Sequence, residues 1–397
     1  MNVVGIRERA EQLQDQLITW RRHLHKHPER SFQEKETAAF VAQVLRRLPG
    51  MVVTEQVGGY GVVAELAGKQ GKTVVLRADM DALPIEEQLP HSFASIKQGT
   101  MHACGHDAHT AILLGAATIL SERHQAGYRN GTVRFLFQPA EEKMDEAGKT
   151  GAIYMIEAGA MAGADIAFAL HMCPWLRPNA IQVHSGASMA SFDAFKGTIT
   201  GSGGHGAYPH LGVDAIWLLS QVLPAIYGLT GRFASPLEPA VISIGQIHGG
   251  KANNVIPEIV EVEGTIRCYN DDVRKKLTEE VSNAFAVANV FGGEGACTVK
   301  RGEPALVNDS EAIALIKQAA HHLYPNDRIV TGPYGLGSED FAHMAKTTKA
   351  AMFFLGCQPR HGEFDLHTPQ FQIDEACLSK GAALMAGVCA DALNKKE

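Results

Sequence analysis

The stretch Met101-His102-Ala103-Cys104-Gly105-His106-Asp107-Ala108-His109-Thr110 sets three histidines, a thiol and a carboxylate ahead of an apolar run. Cys104 and His106 stand two apart around Gly105, so a turn there brings both side chains to one point. Thiolate with imidazole suits a borderline-soft divalent ion such as zinc. The same residues also read as a histidine-rich turn that caps a helix over residues 110–120 and binds nothing. A third chemistry is nucleophilic attack by Cys104 with His106 or His109 as base. Two residues of spacing give the first pair poor geometry, and no acid stands ready to orient the base.

Other reactive side chains follow buried-strand patterns. The apolar residues 73–77 lead into Asp79 and Asp81, which the two-residue period of a strand points to one side. There they can accept hydrogen bonds from metal-bound imidazoles, although an ordinary Asx turn before Pro84 is the plain alternative. Residues 131–137 form a second such run, followed by Glu141 and Glu142. If extended, these adjacent carboxylates face opposite ways, so one can hold metal while the other reaches a water. Residues 166–170 end in His171, and residues 351–356 precede a polar loop with His361 and His367. Open α/β sheets bind ligands at the carboxyl ends of their strands, which is where these residues fall. His23, His25 and His27 end an amphipathic helix, where imidazolium favours the helix dipole and caps carbonyls.

These strands alternate with helical patterns at residues 4–25 and 35–48 and after Cys104, which predicts a three-layer α/β fold with a mostly parallel central sheet. Between residues 190 and 302 the order becomes strand, helix, strand, strand, helix, strand, the pattern of a ferredoxin-like α+β module. Two domains suit a chain of 397 residues, since single cores seldom grow past roughly 250–300 residues. We expect a discontinuous domain of residues 1–189 and 303–397 with residues 190–302 inserted. The net charge of -7 offers no footprint for nucleic acid or an anionic membrane. A charged amphipathic start and the lack of a long uncharged apolar run predict neither signal peptide nor membrane span. Seven scattered cysteines show no paired framework, and a cytoplasmic location is expected.

Over nearly its full length the chain resembles the aminoacylase, hippurate hydrolase and indole-acetyl-amino-acid hydrolase group of two-domain binuclear metallopeptidases and amidohydrolases. The resemblance rests on Arg21-Arg22-His23-Leu24-His25 with Pro28-Glu29, on Leu76 through Pro84, on Met101 through Thr110, and on Gln138-Pro139-Ala140-Glu141-Glu142. It continues in His171 with Pro174, Gly203-Gly204-His205 with Pro209-His210, Asn254-Val255-Ile256-Pro257, Gly264-Thr265-Ile266-Arg267, Ser338-Glu339-Asp340-Phe341 and His367-Thr368-Pro369.

The resemblance implies two divalent metal ions per chain, held by Cys104, His106, Glu142, His171 and His367. Glu141 becomes the general base that activates a metal-bound water, and His205 the donor to the oxyanion, in its own or a neighbouring subunit's site. Asp79 and Asp81 support the ligands from behind. The implied substrate is a small N-acyl-L-amino acid, with a dipeptide or a peptide C-terminus as the alternative. Arg267, with its planar fork, and Asn254 are candidates to grip the α-carboxylate. The wider clan carries His-x-Asp where this chain has Asp79-Met80-Asp81, so a ligand is missing there, and the Cys104/His106 turn compensates. A mixed thiolate, imidazole and carboxylate set admits zinc, manganese, cobalt or nickel. Free strand edges on the inserted module, read as a lid and dimerisation domain, predict a homodimer or homotetramer.

Overall fold

In the computed structural model, residues 4–360, 362 and 364–394 are described, and His361 lies outside them. The long strand Lys69–Asp79 explains the architecture, because its residues 74–79 are buried without alternation. Ile166–Cys173 is buried along its whole length as well. Strands that hide both faces must be covered on both sides, as the parallel sheets of α/β proteins are. The eight-stranded sheet runs Val52–Thr54, Val62–Leu66, Asn130–Gln138, Lys69–Asp79, Ile166–Cys173, Lys349–Gly356, Ala180–Val183, Arg328–Thr331. Its four central strands, Asn130–Gln138 through Lys349–Gly356, are mutually parallel. Antiparallel pairs join them to the flanks.

The helix His106–Gln125 is buried on every side through Ser121. A helix apolar all round belongs inside a core, and this one packs against Lys69–Asp79, Gln14–Lys26 and Cys377–Asn394. It begins four residues earlier than the apolar pattern suggests, since His106 is already helical. The expected N-terminal helix is two, Val4–Gln12 and Gln14–Lys26. At the joint, the Leu13 N–H is shared between the carbonyls of Arg9 and Ala10 at 3.2 and 3.1 Å, a local tightening.

The described residues form two compact units, one within residues 4–186, 307–334 and 343–394, the other of residues 187–306 with 335–342. Within the smaller, the sheet order is Ala240–Gly249, Ile259–Cys268, Asp193–Thr200, Glu294–Arg301, all antiparallel. The helices Ala215–Gly228 and Asp271–Phe285 complete the ferredoxin-like order. Their starts are encoded locally: Asp214 accepts from the N–H groups of Ile216 and Trp217, and Asn270 from those of Asp272 and Val273. Here Asp193–Thr200 alternates buried positions with half-buried or exposed ones, as expected of a sheet with one solvated face. Phe195, Leu218, Val262, Leu277 and Phe285 share a core of their own. Residues 335–342 cluster with this unit, because Gly337 O accepts the Ala190 N–H at 2.8 Å and Gly335 O accepts from Tyr269 Oη at 2.9 Å.

A buried ion pair ties the small unit together: Arg274 Nε donates to Asp193 Oδ2 at 2.8 Å, with both side chains almost wholly enclosed. Arg274→Ala leaves that carboxylate uncompensated. The expected loss is about 3–5 kcal/mol, read as an earlier urea midpoint for the small unit's unfolding. A midpoint unchanged from the native protein would count against the pair's structural role.

Candidate metal centre and active site

Cys104 and His106 are brought together by Gly105, whose φ of 92° lies in the left-handed region. A Cβ there would sit 2.8 Å from Met172 Cγ, so the turn needs both the backbone freedom and the missing side chain of glycine. His106 Nδ1 donates to the Asp81 carbonyl at 2.9 Å and lies 3.2 Å from Asp81 Oδ1, which leaves the lone pair on Nε2. His171 is held the same way, with Nδ1 on the Met172 carbonyl at 2.8 Å. Its Nε2 lies 3.4 Å from Cys104 Sγ. His367 arrives from the far end of the chain at a φ of 60°, its N–H on the Ala103 carbonyl at 2.8 Å. Its Nε2 stands 3.4 Å from Cys104 Sγ and 3.4 Å from Glu142 Oε1.

Thus the five residues expected as ligands converge, although they span residues 104 to 367. Glu141 and Glu142 do not face opposite ways. Their oxygens lie 4.0 and 3.8 Å from the same atom, His106 Nε2. The reason is that the segment is not extended: Ala140, with a φ of 49°, turns the chain off the Asn130–Gln138 strand.

The donors fit a cation. His106 Nε2 and Glu142 Oε1 are buried without a hydrogen-bond partner, a costly state for polar atoms. Burial, then Glu142, Glu141 and Asp79, push the Cys104 thiol well above its ordinary value. For His106, burial disfavours the charged form, but Asp79, Asp81 and Glu142 prevail and push its pKa up to about 10. The Glu142 carboxylate, with Oε1 3.4 Å from Nε2, also raises His367. Surplus negative charge in an enclosed site, offered by sulfur, nitrogen and oxygen together, is the chemistry of a divalent transition-metal site.

Behind the donors stands a second layer of buried polar groups. Asp81 Oδ2 accepts from Ser31 Oγ at 2.6 Å and from the Glu142 N–H at 3.0 Å. Asp79 was expected to support a metal-bound imidazole; its nearest one is His109, whose Nδ1 donates to Oδ1 at 2.6 Å. His109 Nε2 accepts the Met172 N–H at 2.9 Å, so both ring nitrogens of this histidine are engaged. Arg77 closes on Asp79 Oδ2 at 2.7 Å. His25, expected to cap its helix through the dipole, instead reaches Asp107 at 2.8 Å and Glu87 at 3.0 Å inside the core. Arg21 also donates to Asp107, at 2.8 Å, fixing the start of the Cys104/His106 helix. These braces lie in the motif stretches, yet nothing in residue type or spacing names their partners.

The remaining candidates lie in the small unit. His205 and Val255 are paired across a two-stranded ladder, and Asn254 O accepts the Gly206 N–H at 2.8 Å, so His205 and Asn254 are neighbours. His205 Nδ1 accepts the Ala207 N–H at 3.0 Å, leaving Nε2 to carry the proton on an exposed side chain. Arg267 is half-buried, lies over the Phe192 ring at 4.9 Å, and donates to Leu336 O at 3.1 Å. The segment after Gly335, whose role could not be read from sequence, therefore lies against Arg267.

A parallel α/β sheet with a cation-demanding cluster at its strand ends, and carboxylates beside it, defines a metal-dependent hydrolase. The chain belongs to peptidase family M20/M25/M40, whose model matches residues 75–391. It is 42% identical over 275 residues to an N-acyl-L-amino acid amidohydrolase of Geobacillus stearothermophilus, covering 69% of this chain and 72% of that one. It is 38% identical over 401 residues to thermostable carboxypeptidase 1 of Saccharolobus solfataricus, covering 99% of each. Among solved structures, a dinuclear metal binding M20 peptidase of Bacillus subtilis superposes with a TM-score of 0.83 at 32% identity, over 97% of this chain and 100% of that one. The protein is a hydrolase of amide bonds with a divalent metal cofactor.

Gly105→Ala tests the turn. Forcing a side chain into the left-handed region costs about 1–2 kcal/mol, so zinc affinity is expected to fall about tenfold in a competitive chelator titration. Native affinity would show that the turn tolerates a Cβ.

Proposed function

We propose that the protein cleaves N-acyl-L-amino acids, of the N-acetyl or N-benzoyl type, to a carboxylate and a free amino acid. The observation that carries this reading is the meeting of Cys104, His106, Glu142, His171 and His367 with Glu141 at their edge. In this reading those five residues hold two divalent ions, zinc, manganese, cobalt or nickel. Bound there, such ions would lower the pKa of a water and polarise the amide carbonyl.

Glu141 then takes the proton of the attacking water and delivers it to the leaving amine nitrogen. His205, with its proton on Nε2, donates to the tetrahedral oxyanion, from the same subunit or a neighbouring one. Arg267 and Asn254 bind the α-carboxylate of the amino-acid half. Asp79 and Asp81 keep the site's imidazoles oriented. Near His171, the half-exposed Trp175 lies against Tyr334 with ring centroids 4.9 Å apart and the rings tilted by 33°, aromatic surface suited to an acyl group. In domain terms, residues 1–189 and 303–397 carry the metals, and residues 190–302 act as lid and dimerisation module. The edge strands Ala240–Gly249 and Glu294–Arg301 support pairing into a homodimer or homotetramer. Seven free cysteines fit a cytoplasmic setting, and among the described residues no helix is long and apolar enough to cross a membrane.

A carboxypeptidase or dipeptidase is the second reading, favoured by the carboxypeptidase relative. A thiol amidase is disfavoured, because burial and the carboxylates of Glu142, Glu141 and Asp79 all oppose a free Cys104 thiolate in the absence of a cation. Hydrolysis of N-acetyl-L-methionine, hippurate and a dipeptide, before and after chelation and metal add-back, separates these. Activity on the first two, lost with the metal and regained with it, is expected, and Glu141→Gln should lower kcat by about 10²–10⁴ with the metals retained. Cleavage of the dipeptide alone would favour the second reading, and activity surviving complete metal removal would sink both.

A further inference from the structure

Glu34 stands immediately before the helix Lys35–Arg46 and is fully enclosed. Its Oε1 accepts two backbone N–H groups, that of Ala140 at 2.7 Å and that of Phe32 at 3.1 Å. Both donors belong to residues in the left-handed region, Ala140 at a φ of 49° and Phe32 at 65°. Among the described residues only four non-glycine positions have a positive φ. One carboxyl oxygen therefore holds half of them. A residue with a Cβ pays about 1–2 kcal/mol to sit there, so such a conformation persists only where the surroundings impose it. Ala140 is also gripped through its carbonyl, which accepts the Gly151 N–H at 2.8 Å. The next two residues are Glu141 and Glu142.

We propose that Glu34 is a positioning residue for hydrolysis: through Oε1 it locks Phe32 and Ala140 into left-handed turns, and the turn at Ala140 aims Glu141 and Glu142 at the same side of His106. The inference rests on the roles given above to Glu141 and Glu142. Burial, with a smaller contribution from Asp81, pushes the Glu34 pKa up to about 8, which favours its neutral acid form. A glutamine reproduces that acid closely, keeping the Oε1 acceptor and the shape. An alanine removes the acceptor and leaves two buried N–H groups unpaired.

Three variants test the proposal: Glu34→Ala, Glu34→Gln, and Glu34→Ala combined with Ala140→Gly. Loss of the clamp is expected to lower kcat per metal-loaded chain by about 10²-fold with KM little changed, the scale of an ångström's misplacement of catalytic groups. Glu34→Gln should stay within about threefold of native, since its acceptor is intact. Glycine takes the left-handed conformation unaided, so the double variant should recover about tenfold of the kcat lost. A Glu34→Ala protein with a lower melting temperature but native kcat per loaded chain would overturn the proposal, as would a double variant no faster than Glu34→Ala. Should Glu34→Ala fail to fold, Glu34→Asp, one methylene too short to reach both donors, replaces it with the same expectations. Chelator-titrated zinc affinity, measured on the same proteins, reads the placement of Glu142 without any turnover. If the native enzyme proves inactive on N-acyl amino acids, the functional reading fails while the affinity series still judges the clamp.

Discussion

Charge that cannot reach water is the constraint on which the larger unit depends. Asp79 and Asp81 are fully buried beside Cys104 and the imidazoles of His106 and His171. Carboxylates in such a place must be matched by positive charge or by donated hydrogen bonds, or the fold loses several kcal/mol per group. Arg77 answers Asp79 and Arg21 answers Asp107, each at under 3 Å. Among the buried atoms left without a hydrogen-bond partner are His106 Nε2 and Glu142 Oε1, where a divalent cation would complete the balance. The same deficit that makes the site costly to fold makes it bind metal.

Support for the donors comes from the least deformable parts of the unit. Parallel strands end at a common edge, so residues following Lys69–Asp79, Asn130–Gln138 and Ile166–Cys173 arrive together. The helix His106–Gln125, buried through four turns, cannot rotate without disturbing the core. Left-handed turns occur where the chain must leave these elements sharply, at Gly105, Ala140 and His367, and at the last two they strain the backbone. Each is held by a neighbour: Met172 packs against the first, Glu34 binds the second, and the Ala103 carbonyl the third. Strain stored at a reactive centre and sustained by rigid surroundings is a recurrent way of keeping catalytic groups aimed.

The smaller unit solves a different problem with different means. Its sheet is solvated on one face, its helices start at side-chain caps, and its core is closed by Phe195 against Phe285. Gly197 and Gly264 are glycine because aromatic rings lie where their Cβ atoms would be. His205 and Asn254 are joined by a short ladder, while Arg267 is steadied by a backbone carbonyl.

Much of this was legible in the chain alone. Unbroken apolar runs announced buried strands, the β-α-β-β-α-β order announced the ferredoxin-like unit, and Cys104, His106, Glu142, His171 and His367 could be picked out as donors by type and by resemblance. Those are properties of local pattern, and local pattern survives without tertiary context. What the sequence could not decide was direction and partnership. Glu141 and Glu142 share a side because Ala140 is left-handed, and no rule of alternation anticipates that turn. His25 is a buried brace, not a helix cap, because Asp107 and Glu87 happen to meet it from distant segments. His109 serves Asp79 and Met172, although Cys104 and His106, close by in sequence, turn to the donor cluster. Residue type determined which groups could do chemistry. Which way each one points was decided only when non-local hydrogen bonds and close packing left a single arrangement that satisfies every buried charge.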